Sequence, residues 1–91
     1  MPQDSSYQIF FSPQARRALN ALPQNQRSRI NAKIQALAEN PRPPGVKALQ
    51  GYPGLLRIRA GEYRVIYRIE DDRLLVAVVR VGHRREIYRD L

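Results

Sequence analysis

The segment RIRAGEYRVIYRI, residues 57–69, restricts the possible folds of this chain more than any other part of the sequence. Apolar and basic side chains alternate along it with a period of two, which is the pattern of a β-strand with one buried and one open face. The break at Ala60-Gly61-Glu62 allows a turn between two paired strands. The segment therefore predicts a β-hairpin that places its basic side chains on one face: Arg57, Arg59, Arg64 and Arg68.

Two helices are predicted before the hairpin. Ser12-Pro13 is a typical helix start, with serine as the N-cap and proline at the first helical position, and apolar residues follow at helical spacing. A second apolar stripe predicts a helix over about residues 24–39. The segment Arg42-Pro43-Pro44-Gly45 cannot continue a helix and must form a connecting loop. We expect the two helices to pair as an antiparallel hairpin.

Strands are predicted at both ends of the chain. Residues 7–11 alternate as a short strand does, and residues 74–81 are almost continuously apolar, as in a central strand that Gly82 interrupts. The order is strand, two helices, then three strands. It predicts an α+β domain in which the helical hairpin covers one face of an antiparallel sheet. Residues 1–91 suffice for one such domain, with residues 1–6 as a polar N-terminal tail.

The charge of the chain points to a polyanionic partner. It carries 16 Lys and Arg residues against 8 Asp and Glu residues, a net charge of +8, and only Lys33 and Lys47 are lysine. The planar guanidinium group fits phosphate oxygens two at a time and stacks on bases. Such basicity indicates nucleic acid or another polyanion, although GC-rich codon usage also enriches a surface in arginine.

Several classes of protein are disfavoured by what the sequence lacks. It contains no cysteine, so it has neither a disulfide framework nor a cysteine-based metal site or nucleophile. No apolar run approaches the roughly 20 residues of a membrane-spanning helix. The N-terminal MPQDSS has neither the basic nor the apolar region of a secretion signal. We therefore expect a cytoplasmic protein without a membrane partner.

From Ile9 to Tyr88 the sequence resembles the RelE/ParE toxins of bacterial toxin–antitoxin systems. The likeness rests on four segments that occur in the family's order and spacing. They are FSP at residues 11–13, KALQG at residues 47–51, LRIRAGEYRVIY at residues 56–67, and RVGHR at residues 80–84 followed by EIY at residues 86–88.

This resemblance implies one of two activities. RelE-like members cut messenger RNA in the decoding site (A site) of the ribosome, whereas ParE-like members share the fold but poison DNA gyrase. The RelE-like active surface has basic residues at two alternating positions of one strand, an arginine in the next strand, and an arginine and a tyrosine near the C-terminus. All five positions are suitably occupied here, which favours the RelE-like activity: Arg57, Arg59, Arg64, Arg84 and Tyr88.

By the same resemblance, the RNA's own 2′-hydroxyl attacks the adjacent phosphorus, and neither a metal nor another cofactor is expected. The expected catalytic residues are Arg59, Arg64, Arg84 and Tyr88, and the expected RNA-binding residues are Arg57, Lys47, Arg68 and His83. Arg68 has no role in the family, so it is expected to be structural or a general phosphate contact. Arg64 would hold the scissile phosphate, Arg84 would lie near the leaving oxygen, and Tyr88 would stack on a base.

The identity of a general base is left open. RelE relatives often have lysine at the two alternating strand positions, but arginine is not expected to lose its proton in a protein. Either charge stabilisation and alignment carry nearly all the catalysis, which we favour, or His83 or Glu62 moves a proton, or the ribosome contributes a group.

Structural roles remain possible for several of these residues. The basic face can be a solvated sheet surface, Lys47 an ordinary loop lysine, and Tyr88 a C-terminal anchor. A non-catalytic RNA- or ribosome-binding module is a further alternative. The family implies these partners: a RelB-like antitoxin with an acidic segment that folds on binding, the ribosome with its mRNA, and operator DNA for the antitoxin complex.

Overall fold

The computed structural model describes residues 6–89, which form two helices, five strands and one 3₁₀ turn. The predicted α+β class and the helix pair are confirmed. The elements are β1 (Gln8–Phe11), α1 (Pro13–Asn20), α2 (Gln24–Ala36), β2 (Lys47–Ala48), β3 (Leu56–Ala60), β4 (Tyr63–Glu70), the 3₁₀ turn (Asp71–Arg73) and β5 (Leu75–His83). Most of the predicted polar tail lies outside the described residues.

The five strands of the described chain form one mixed sheet in the order β1-β5-β4-β3-β2. The pairs from β2 to β5 are antiparallel, as predicted, but β1 runs parallel to β5, with Gln8 opposite Leu75. The prediction of a wholly antiparallel sheet was wrong at this edge because the whole helical hairpin separates β1 from the other strands. No tight turn therefore fixes the direction of β1. Strand β2 was not predicted, since two residues are too few to show alternation.

The core lies between the helices and one face of the sheet. Tyr67 is fully buried in it, and its hydroxyl donates a 2.7 Å hydrogen bond to the carbonyl of Pro41. Burial raises the pKa of Tyr67 to about 12. The predicted apolar stripes of both helices are confirmed, and the buried core includes Ala15, Leu19, Ile30, Ile34, Val65, Val76, Val78 and Val81. We call the other side of the sheet the outer face.

Ser12 fixes the start of α1 and also holds it to the sheet. Its hydroxyl oxygen accepts a 3.0 Å hydrogen bond from the amide of Ala15, and the hydroxyl donates a 2.6 Å hydrogen bond to the carbonyl of Val79. The predicted N-cap is therefore confirmed, and such a cap is typically worth about 1 kcal/mol. The second helix ends earlier than predicted, at Ala36, and α1 ends at Asn20. Among residues 6–89 there is no helix that is long and apolar enough to cross a membrane.

A β-bulge divides β5 into two halves. Ile66 lies opposite Arg80, but its neighbour Tyr67 lies opposite Val78, so Val79 is an extra residue on β5. A bulge of this kind shifts the alternation of side chains by one position. Arg80 consequently shares the outer face with Ile66, although an uninterrupted alternation would place it on the core side.

Candidate functional site

The β3–β4 hairpin places the predicted arginines on the outer face. Arg57 lies opposite Ile66, and Arg59 lies directly opposite Arg64. Gly61 begins the two-residue turn with a φ of 62°, as a type II′ turn requires of its first residue. Side chains directly opposite each other have Cβ atoms about 5 Å apart, and like charges there are destabilising. The hairpin therefore holds two arginines together against their mutual repulsion.

Arg64 occupies the middle of this group and is the most buried arginine of the described chain. Only 7% of its surface is exposed, and its Nη1 donates hydrogen bonds of 3.1 Å to the carbonyls of both Gly61 and Tyr63. Within residues 6–89 no carboxylate forms an ion pair with it. A fixed and nearly buried guanidinium without a counter-charge is an anion-binding group.

The electrostatics of Arg64 show which side chains surround it. Burial lowers the pKa of Arg64, and three neighbouring positive charges lower it further while Tyr88 raises it. The three neighbours are Arg59, Arg57 and Arg84. The structure thus brings five predicted residues close enough to share one electrostatic field, although they come from β3, β4 and the C-terminal turn.

The C-terminal turn is attached to the hairpin through Glu62. The amide of Arg84 donates a 2.8 Å hydrogen bond to the carbonyl of Glu62, and Arg84 Nε lies 2.8 Å from its Oε1. His83 Nε2 lies 3.9 Å from the same oxygen, and the His83 ring meets the ring of Tyr63 edge to face at 5.6 Å. Sequence reasoning missed this anchoring role because more than twenty residues separate Glu62 from Arg84.

The sequence suggested that Gly82 interrupts the last strand. Instead, Gly82 lies within β5, where it allows Ile87 to approach closely. A Cβ on Gly82 would lie 2.9 Å from Ile87 Cδ1, and Ile87 is buried although it belongs to no part of the main core. Gly82 lies opposite Arg64 in the sheet. Ile87 therefore anchors the turn on the outer face, and the next residue, Tyr88, is left 43% exposed beside the arginines.

The other predicted RNA-binding residues lie at the margins. Lys47 in β2 is exposed and lies opposite Arg57. Arg68 shares the outer face but lies four residues along β4 from Arg64, about 13 Å away. Its Nη2 is 3.2 Å from a carboxylate oxygen of Glu70. Arg68 is thus separate from the group around Arg64.

Sequence reasoning also missed Arg80, which the bulge turns to the outer face. Its Nε is buried without a hydrogen-bond partner, as is the Nε of Arg57. A possible signal was that Arg80 is the only charged residue in an otherwise apolar strand. Nowhere between residues 6 and 89 do three His, Cys, Asp or Glu side chains form a group that could hold a metal ion.

A family model described as the ParE toxin of the type II toxin–antitoxin system parDE matches residues 9–88. The chain belongs to this toxin family. The toxin RelG of Mycobacterium tuberculosis is 35% identical over 88 residues, covering 91% of this chain and 97% of RelG. The mRNA interferase toxin RelE of Escherichia coli K12 is 28% identical over 89 residues, with 93% of each chain covered.

Solved structures give the same result. A chain of the RelBE2 toxin–antitoxin complex of M. tuberculosis superposes with a TM-score of 0.76 at 31% identity, covering 86% of this chain and 98% of that one. A chain of the intact RelBE complex of E. coli gives a TM-score of 0.74 at 28% identity, with coverages of 86% and 96%. The chain is therefore a RelE-like toxin of a type II toxin–antitoxin system.

Proposed function

We propose that this toxin is an endoribonuclease that cleaves messenger RNA in the ribosomal A site without a metal ion. The observation that carries the proposal is the position of Arg64, which is nearly buried, fixed by two backbone carbonyls and surrounded by further arginines. Such a group stabilises charge that develops on a phosphate oxygen in the transition state. The relative from E. coli is named an mRNA interferase, which supports the same reaction class.

In the proposed reaction the 2′-oxygen of the RNA forms a bond to the adjacent phosphorus while the bond from phosphorus to the 5′-oxygen breaks. The products are a 2′,3′-cyclic phosphate and a free 5′-hydroxyl. Arg64 binds the non-bridging oxygens of the scissile phosphate, and Arg57 and Arg59 bind the flanking backbone. Arg84 lies beside the leaving oxygen, and Tyr88 stacks on a base to align the attack.

The two proton transfers need not depend on a conventional base. Arginine at position 59 stays protonated, so it contributes charge and alignment only. Glu62 and His83 lie together, but the carboxylate of Glu62 is engaged by Arg84 at 2.8 Å. We therefore propose that alignment and charge stabilisation supply most of the rate, and that Glu62 acts on Arg84 rather than on the 2′-hydroxyl.

The deciding experiment maps transcript 5′ ends after the toxin is induced in cells. Cuts in phase with codons, confined to translated messages, are expected from the wild type and are expected to vanish in Arg64→Ala and Arg84→Ala. Arg17→Ala is a matched control, since Arg17 is exposed on α1 in the helical layer. Growth arrest with intact messages would overturn the proposal.

Gyrase poisoning is a second candidate because the matching family model describes ParE toxins. It predicts induction of the DNA-damage response, intact transcripts, and toxicity that survives Arg84→Ala. The same induced cultures distinguish the two activities when DNA-damage reporters are read beside the transcript ends.

We further propose that an acidic, amphipathic segment of a RelB-like antitoxin binds the groove between α2, the loop 40–45 and β3. The groove has a volume of about 690 Å³, a largely apolar lining that includes Leu37 and Ile58, and the cations Lys33 and Arg59. An acidic amphipathic helix complements both features. Because Arg59 also belongs to the RNA-binding group, an occupant of the groove would mask part of that group.

A substitution in the groove tests this assignment. Ala36→Glu adds a negative charge to the groove wall, so we expect the cognate antitoxin to lose its ability to restore growth, while transcript cleavage continues. Ala21→Glu makes the same change at the exposed end of α1 and is expected to leave rescue intact. Full rescue of Ala36→Glu would contradict this binding surface.

A further inference from the structure

Arg80 mirrors Arg57 across β4. Both lie opposite Ile66, Arg57 on the β3 side and Arg80 on the β5 side. Arg64 precedes Ile66 by two residues on β4 and lies opposite Gly82 on β5. Arg80 is therefore a diagonal neighbour of Arg64, with the Cα atoms about 7–8 Å apart. Arg57 has the same diagonal relation to Arg64 on the other side. Arg57 and Arg80 therefore flank Arg64 on its two sides.

Arg80 lies beside open space and has no counter-charge among residues 6–89. It lines a cavity of about 490 Å³ between α1, the end of β5 and the C-terminal turn, where Gln14, His83 and Ile87 also contribute to the wall. In the part of the chain that the structure describes, Arg80 forms no ion pair and its buried Nε has no hydrogen-bond partner. An unsatisfied buried donor is unfavourable, and a bound anion would remove that penalty.

We infer that Arg80 binds the RNA phosphate next to the scissile one on the β5 side, as Arg57 does on the β3 side. The inference rests on the proposed function, which places the scissile phosphate at Arg64. The inference predicts the path of the RNA across the sheet, from β3 over β4 to β5. Arg57 and Arg80 are two strand spacings apart, about 10 Å, so a single extended RNA strand can contact both.

The inference is tested by the salt dependence of RNA binding by the purified toxin. The probe is a short single-stranded RNA whose 2′-hydroxyls are methylated, so that it binds but cannot be cleaved by 2′-hydroxyl attack. For single strands, each phosphate that the protein neutralises adds about 0.7 to the steepness of log K against log salt concentration. We expect Arg80→Gln to reduce the slope by about 0.7, Arg57→Gln to do the same, and Arg17→Gln to leave it unchanged.

Two further variants separate phosphate binding from packing. Arg80→Lys retains the charge and is expected to keep the wild-type slope. Arg80→Met retains the apolar stem without the charge and is expected to behave as Arg80→Gln does, which also guards against poor folding of the glutamine variant. Thermal unfolding of each variant checks that it is folded at the assay temperature.

The results distinguish this inference from the proposed function. A wild-type slope in Arg80→Gln and Arg80→Met together with a reduced slope in Arg57→Gln would overturn the role of Arg80 alone. A folded Arg80→Lys with a reduced slope would also overturn it, because the charge is then not what matters. A wild-type toxin that fails to bind the RNA would overturn the role of Arg80, whereas only the mapping of transcript 5′ ends in cells can overturn the proposed function.

Discussion

Arginines lie at both ends of the sheet, and the two ends differ in how their charge is balanced. At the end that we call the paired end, Arg42 forms a bidentate ion pair with Asp71, and Glu70 accepts from both Arg68 and Arg73. At the cationic end, Arg57, Arg59, Arg64 and Arg80 form no ion pair with any carboxylate among residues 6–89.

This difference supports the proposal that the cationic end, rather than the paired end, binds the ligand. Exposed ion pairs are worth about 0–1 kcal/mol each, so the paired end gains little beyond neutrality. The four arginines of the cationic end gain no such pairs, and Arg59 lies directly opposite Arg64, which is destabilising. Natural proteins depart from local stability rules chiefly at functional sites. The charge imbalance along one strand is therefore the strongest structural argument for where the ligand binds.

The largest difference in cleavage is expected between variants of the two arginines that β4 places on the same face, Arg64 and Arg68. Arg64→Ala should reduce cleavage of translated mRNA about 10²–10³-fold, which is typical for the loss of one preorganised donor to a transition-state oxyanion. Arg68→Ala removes the same charge at the paired end and should reduce cleavage less than about fivefold, the equivalent of an exposed ion pair. Cleavage rates on programmed ribosomes measure both.

Equal losses in these two variants would contradict the comparison, because the outer face would then act only through its total charge. The folded state must be checked by thermal unfolding in both cases. Arg64 is the more buried of the two, but its removal also relieves repulsion with Arg59, so a large loss of stability is not expected.

A smaller loss is expected at Tyr88. If its half-exposed ring stacks on a base at the cationic end, Tyr88→Ala should weaken RNA binding about 5–150-fold, since stacking of one base is worth about 1–3 kcal/mol. Tyr88→Phe keeps the aromatic face and should bind like the wild type. Titration with the methylated RNA measures both variants. A phenylalanine variant as weak as the alanine variant would assign the contribution to the hydroxyl instead.

The hairpin and its basic face could be predicted from the sequence because alternation over residues 57–69 is a local signal. The helix start at Ser12 is equally local and was also predicted correctly. The parallel pairing of β1 with β5 depends on contacts between the two ends of the chain. No local pattern carries that information, which is why the direction of β1 was predicted incorrectly.

The candidate site was predictable only in part, and for a similar reason. Four arginines and Tyr88 follow from alternation together with the family likeness. Arg80 could not be found by alternation, because counting by two from Val76 and Val78 places it in the core, and only the bulge at Val79 reverses that. The contact of Glu62 with Arg84 is likewise a tertiary contact that neither residue type announces.

The next prediction concerns Glu62, which lies at the edge of the cationic end. Among residues 6–89 it is the carboxylate that pairs with Arg84. The Glu62 carboxylate occupies Nε of Arg84 and offsets its charge, which weakens the attraction of Arg84 for a phosphate. Glu62→Gln should therefore strengthen RNA binding about two- to fivefold, the equivalent of an exposed pair of up to about 1 kcal/mol. Glu39→Gln, which removes the same charge from the exposed end of the helical layer, should have no comparable effect. Affinity for the methylated RNA is the measurement.

The same Glu62→Gln variant tests the proton-transfer alternative. A general base contributes about 10²–10⁴-fold to a rate, so a loss of that size in cleavage would identify Glu62 as a base and contradict its role as a partner of Arg84. His83→Gln supplies the parallel test for the neighbouring imidazole. Alignment and charge stabilisation predict less than about a tenfold change in either variant.

The smallest effect is expected at the paired end and concerns stability. Asp71 accepts hydrogen bonds from Arg42 at 2.9 and 3.3 Å and from the hydroxyl of Tyr7 at 2.6 Å. The bonds from Arg42 and then from Tyr7 lower the pKa of Asp71. A lowered carboxyl pKa means that the unfolded state binds the proton more readily than the folded state does. Asp71 therefore contributes stability above its ordinary pKa, and this contribution is lost as the pH falls below about 4.

Asp71→Asn should accordingly lower the melting temperature slightly at pH 7, and the gap from the wild type should close as the pH falls below the ordinary pKa of an aspartate, about 4. Asp72→Asn removes the neighbouring exposed charge and serves as the matched control at pH 7. Cleavage should be unchanged in both variants at neutral pH, because the paired end takes no part in the proposed reaction. A loss of cleavage in Asp71→Asn without a change in melting temperature would mean that the ligand extends over both ends of the sheet, and that ion pairing does not mark the limit of the site.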